Sequence, residues 1–202
     1  GYLSKLVESP KFSMLKTSEG FEILFPPELN SQALIVVKLS KTDSCHETRL
    51  AGSFIAKISK NDNILILIDQ EKNFFQVALG YILKSYRFEK YKLKKKKRDF
   101  LTSIMVNDLN KVKIQLTDLK ALTSGIFLAR DLTNEPANIL TTTEFSNRLD
   151  ALRKVGVIVD IFDQTHLEKM GMRALLAVGR GSESPSKVAV LRWCQGTPTV
   201  SP

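Results

Sequence analysis

The sequence predicts an α/β fold in two pieces joined by a long helix. Short β-branched runs alternate with segments of helical period, in the order β-α-β-α-β. That alternation is interrupted at RDLTNEPANIL, residues 130–140, and then restarts. A helical segment lies just before the interruption, which makes it a junction between two units of structure.

The elements follow in chain order. ALIVVKL (33–39) is a β-branched run bounded by polar residues and reads as a buried strand. In TRLAGSFIAKISK (48–60), Leu50, Phe54 and Ile58 recur every four residues, with Ala51 and Ile55 beside them, as in an amphipathic helix. NILILI (63–68) is a second buried strand. FFQVALGYILKSY (74–86) is a second helix, with Val77, Ala78, Tyr81 and Ile82 on one face. DFLTSIMV (99–106) is a third strand, so the first piece is expected to hold a largely parallel sheet.

The joining helix is expected to start with Thr117 and Asp118 as cap and first-turn residues. Leu119, Leu122, Ile126 and Ala129 line one face. Pro136 biases Glu135 away from α geometry, so this helix ends near Asn134. In TTTEFSNRLDALRKVG (141–156), threonines supply the cap and Gly156 the stop, with Phe145, Leu149 and Leu152 as the apolar face. VIVDIF (157–162) is a strand. THLEKMG (165–171) is a short helix with Thr165 and Glu168 at capping-box spacing and Gly171 at its C-terminal stop. LLAVGRGS (175–182) reads as a strand entering a turn, and KVAVLRW (187–193) as a further strand.

Composition narrows the function. Hydrophobic residues make up 43% and charged residues 25%, the balance of a globular protein. No apolar run approaches the length that spans a bilayer, so no membrane partner is expected. The first residues, GYLSKLVESPKF, lack the apolar centre of a secretory signal and an initiator methionine, so the chain is expected to begin downstream of its gene's start. Cys45 and Cys194 are far apart and are expected to be reduced thiols in a cytoplasmic protein. The formal charge is +9, but seven basic residues sit in KYKLKKKKR (90–98), and without them it falls to +2. That run reads first as a solvated loop and second as a phosphate-backbone contact.

Candidate chemistry is sparse. Cys45 and His46 are adjacent, yet nothing nearby completes a metal ligand set. GRGS (179–182) fits neither phosphate-loop pattern and reads as a plain loop. His166 lies on a short polar helix and reads as an exposed or capping histidine rather than a general base. Glu135 is a carboxylate beside a proline, with no second acid at a telling spacing.

ARDLTNEPANILTTTEF (129–145) followed by LEKMGMRALLAVGRGSESPSKVAVLRW (167–193) closely resembles the leucyl aminopeptidase, or cytosol aminopeptidase, family. The family's run has the form A-R-x-L-x-N-x-P-x-N, then a Thr-rich helix start, then L-x-x-x-G-M-x-x-x-L-x-V-G-x-G-S. SYRFEKYKLKK (85–95) is similar to the family's S-Y-R-F-x-x-Y-K segment, which gives the basic run an ordinary origin. The resemblance implies a partial macro-like N-terminal α/β domain at 1–116, a linker helix at 117–134, and the opening of an α/β metallopeptidase domain at 135–202. It also implies a parent enzyme that removes N-terminal residues from peptides with two divalent ions, manganese or zinc, and that forms a homo-hexamer.

The family's metal-site runs, G-K-G-x-x-F-D-[ST]-G-G and N-[TS]-D-A-E-G-R, do not occur in these 202 residues. No catalytic, cofactor-binding or metal residue is therefore carried over. The expectation is an internal fragment that is inactive alone, binds no metal and exposes apolar surface. Two rivals are a nucleic-acid or nucleotide binding module using the basic run, and a truncated structural or regulatory subunit that assembles with full-length enzyme. Affinity that falls steeply with salt, and is lost on neutralising Lys94 to Lys97, would favour the binding module.

Overall fold

The computed structural model describes residues 2–39, 44–59, 63–68, 70–93 and 101–193. The chain divides into two compact units, residues 1–129 and 130–202.

The first unit begins with two short helices, α1 (Tyr2–Val7) and α2 (Pro10–Ser13). Strands β1 (Gly20–Leu24) and β2 (Ala33–Val37) pair antiparallel, with Phe21 opposite Val36 and Ile23 opposite Leu34. Helix α3 (Cys45–Ile58) follows, then β3 (Ile64–Leu67), a 3-10 turn (Glu71–Asn73), α4 (Phe74–Ser85), β4 (Thr102–Met105) and α5 (Leu109–Asn134). β3 and β4 pair in parallel, Ile66 beside Ile104.

The sheets correct one expectation. The described residues hold three two-stranded sheets, and only β3–β4 is parallel. The 33–39 run pairs with GFEIL, a segment too short and mixed for its pattern to stand out. NILILI is covered on one face only. Ile66 and Ile68 are buried, while Leu65 and Leu67 are 56% and 65% exposed.

The core of this unit gathers Ile66, Ile68, Phe74, Val77, Ala78, Leu79, Tyr81, Val112 and Leu119. Its closest packing is between α3 and α4. A methyl group on Gly52 would overlap the Val77 carbonyl oxygen, and one on Gly80 would overlap the Arg49 carbonyl oxygen. The backbones touch because neither helix carries a side chain there. Ser53 Oγ donates to the Gly80 carbonyl at 3.2 Å, and Arg49 donates through Nε and Nη2 to Gln76 Oε1 at 3.0 and 2.8 Å. The buried face of α3 is therefore Thr48, Ala51 and Gly52, whereas Leu50 is 46% exposed. The helical period holds, but the smallest residues face inward.

α5 starts at Leu109, ahead of the expected Thr117, because Asp108 accepts the Asn110 backbone N–H at 2.9 Å and opens the helix. It ends at Asn134, as Pro136 requires. Val112, Leu119 and Thr123 are buried, while Leu122 and Ala129 face solvent.

The second unit contains α6 (Thr142–Asp150), a 3-10 turn (Ala151–Val155), β5 (Ile158–Phe162), α7 (Gln164–Lys169), α8 (Arg173–Gly179) and β6 (Val188–Arg192). Thr141 caps α6 by accepting the Glu144 N–H, and Gly156 turns the chain at φ 90°. Gly171, at φ 72°, stops α7. The expected Thr165 cap is replaced by Asp163, whose carboxylate reaches the His166 N–H. The expected strand at 175–182 is instead α8 over its first part. RALLA is rich in strong helix formers, and β5 takes β6 as its partner. Val159 and Leu167 are fully buried, but Phe145, Val178, Leu191 and Trp193 remain 42%, 88%, 42% and 57% exposed.

Gly52→Ala or Gly80→Ala should lower the chemical denaturation midpoint by the equivalent of about 1–3 kcal/mol, since backbone must move to admit the methyl group. Gly125→Ala, in open space on α5, should raise it by roughly 0.5–1 kcal/mol.

Candidate functional site

Glu135 sits at the junction quoted above, and the structure removes it from solvent. Its side chain is 1% exposed, and Oε1 lies 3.0 Å from Arg148 Nη2. Arg148 reaches back from α6. Its Nε donates to Glu144 Oε1 at 2.8 Å, across one helical turn. One guanidinium thus serves two carboxylates, and they hold it further above its already high range, Glu144 first and Glu135 second. A charge withdrawn from water needs such a partner.

The surrounding backbone closes a tight turn. Ile139 and Leu140 N–H both donate to the Pro136 carbonyl at 2.9 Å, and Thr141 N–H donates to the Ile139 carbonyl at 3.0 Å. Ser146 Oγ donates to the Thr142 carbonyl, and Thr142 Oγ1 to that of Pro185, each at 2.8 Å. This cluster can hold a loop against a helix. A carboxylate so committed to a guanidinium is poorly placed to abstract a proton.

The other candidates lie apart from it. His166 is exposed on α7, with Nδ1 2.8 Å from Asp163 Oδ1, and Asp163 also accepts the His166 backbone N–H at 3.0 Å. Those bonds hold the Asp163 carboxyl below the usual carboxylate range, the backbone N–H first and the imidazole second. Cys45 and His46 are exposed at the start of α3. In GRGS, the Arg180 N–H donates to the Ala177 carbonyl and the Ser182 N–H to that of Gly179, so these donors close the end of α8 instead of converging on an anion. In the basic run, Lys92 pairs with Glu89 at 3.9 Å and Lys90 lies over the Tyr91 ring. Lys94 to Arg98 fall outside the described residues.

Among the described residues, no three His, Cys, Asp or Glu side chains converge as metal ligands. No described helix is long and apolar enough to cross a membrane. Sequence reasoning missed Arg148. Its spacing of four from Glu144 was a legible signal, but its partner thirteen positions upstream was not.

Residues 127–202 match the catalytic domain of the cytosol aminopeptidase family. Over 196 residues the chain is 36% identical to a probable cytosol aminopeptidase of Dinoroseobacter shibae, an alignment that takes in 97% of this chain and 40% of that protein. A probable cytosol aminopeptidase of Cereibacter sphaeroides is 37% identical over the same length, with the same shares covered. The chain belongs to the cytosol aminopeptidase family. It spans about 40% of the length of these curated relatives.

The fold agrees. A solved tomato leucine aminopeptidase variant superposes with a TM-score of 0.76 at 22% identity, covering 100% of this chain and 42% of that one. The bottromycin maturation enzyme BotP superposes with a TM-score of 0.68 at 20% identity, covering 95% and 42%. BotP has also been solved in complex with Mn, with a TM-score of 0.66. The family segment named at the sequence level, 129–145, is the one that carries Glu135 and opens α6.

The capping role of Asp163 has a pH signature. Its depressed carboxyl stabilises α7 above the carboxyl's unfolded pKa, and that contribution is lost as pH falls through the lower folded value. Acid titration followed by NMR should show the His166 amide losing its downfield position in that window. Asp163→Ala should remove the transition.

Proposed function

We propose that these residues are one part of a longer metal-dependent aminopeptidase that removes N-terminal residues from peptides. The observation that carries this reading is the match of residues 127–202 to the family's catalytic domain, within a chain that aligns over 97% of its length with a probable cytosol aminopeptidase. Two divalent ions in such an enzyme would supply Lewis-acid chemistry and an activated water.

The residues described here do not fit that metal pair, because no cluster of three potential ligands forms among them. No step through a metal is derived for this chain. Its share of the work would be structural. The first unit would form the amino-terminal domain, and the second would supply the opening α6–β5 layer of the catalytic domain. Manganese is the first ion to try, because BotP has been solved with it, and zinc the second. A leucyl amide is the first substrate to try, since the tomato neighbour is named a leucine aminopeptidase. Cytoplasmic location and assembly as a homo-hexamer belong to the same proposal.

The test is to read the source transcript past the codon for Pro202 and express what it encodes. The expected result is an open frame through a lysine- and aspartate-containing metal run. Its product should hydrolyse a leucyl amide with Mn²⁺ or Zn²⁺, while the 202-residue chain should not. Hydrolysis by the 202-residue chain itself would contradict the structural role. A stop codon at that point would overturn the reading in favour of binding or assembly.

A further inference from the structure

The segment from Pro136 to Ile139 is exposed, so it lacks the buried apolar side chain that usually fixes a loop. Its flanks supply two restraints. At one end the Pro136 carbonyl accepts two backbone donors, from Ile139 and Leu140. Immediately before it, the Glu135 carboxylate is drawn inward onto Arg148 Nη2 at 3.0 Å. Arg148 is itself fixed on α6, because its Nε is held by Glu144 one turn earlier at 2.8 Å.

A planar guanidinium has donors in fixed directions. Holding Nε on Glu144 therefore dictates where Nη2 points, and so where Glu135 must sit. We propose that Arg148 is a positioning latch, holding Glu144 and Glu135 together so that residues 135–141 keep one conformation at the start of α6. The arrangement specifies a direction as well as contributing stability. An apolar pair of similar volume would fill the same space without aiming the loop. This inference stands on the geometry of the second unit and does not rest on the peptidase reading.

The test uses the full 202-residue chain and two variants, Glu135→Gln and the double replacement Glu135→Leu with Arg148→Met. Glu135→Gln keeps size and a hydrogen-bonding oxygen but removes the charge. The double variant removes both charges and keeps the volume. Amide hydrogen exchange is measured at Ile139, Leu140 and Thr141, and compared with Leu167, whose N–H donates to the Asp163 carbonyl at 3.0 Å elsewhere in the unit. A latch predicts that exchange at 139–141 rises about tenfold or more relative to Leu167 in both variants, because local opening is released without global unfolding. If 139–141 and Leu167 change in step in either variant, Arg148 contributes only general stability and the proposal is overturned.

Discussion

The first unit depends on how closely α3 and α4 approach. Gly52 and Gly80 face each other's helix, so backbone meets backbone, and any larger residue would push the helices apart. With the crossing tight, Val77, Ala78 and Tyr81 reach the β3–β4 sheet and the α5 face at Val112 and Leu119. The Tyr81 hydroxyl lies 2.9 Å from Thr102 Oγ1, tying α4 to β4. Close packing of this kind gains many small dispersion contacts, and the Ser53 and Arg49 hydrogen bonds across the crossing keep polar groups satisfied.

The second unit is built on a different economy. Two fully buried side chains, Val159 and Leu167, mark a thin core, and β5 and β6 form an antiparallel pair with apolar residues left facing out. Charged pairs recur across its elements. Arg148 joins Glu135 and Glu144, Arg153 donates to Asp150 and to the Val159 carbonyl, and Arg192 meets Asp160 at 2.6 Å. Most of these are exposed and individually worth little. Glu135 differs because its carboxylate is enclosed. Val178, Leu191 and Trp193 leave apolar surface exposed on this unit.

Element types were largely legible because the signals behind them are local. Thr141, Gly156 and Gly171 act at the ends where the sequence placed them, and Pro136 ends α5 where it should. LLAV is four apolar residues, too short for periodicity to separate strand from helix. At α7 the cap is the carboxylate of Asp163, two residues before the expected Thr165.

The sequence by itself determined most of the helical and strand segments, several of their ends and, through the motifs at 129–145 and 167–193, which family the chain belongs to. Only the tertiary structure decided that Gly52 faces inward while Leu50 faces water, that 33–37 pairs with 20–24, and that Glu135 is a restrained ion-pair partner. The physical reason is range. Caps and periodicity act over a turn or two of chain, whereas helix spacing, strand pairing and the partner of a buried charge are set between residues that the sequence keeps apart.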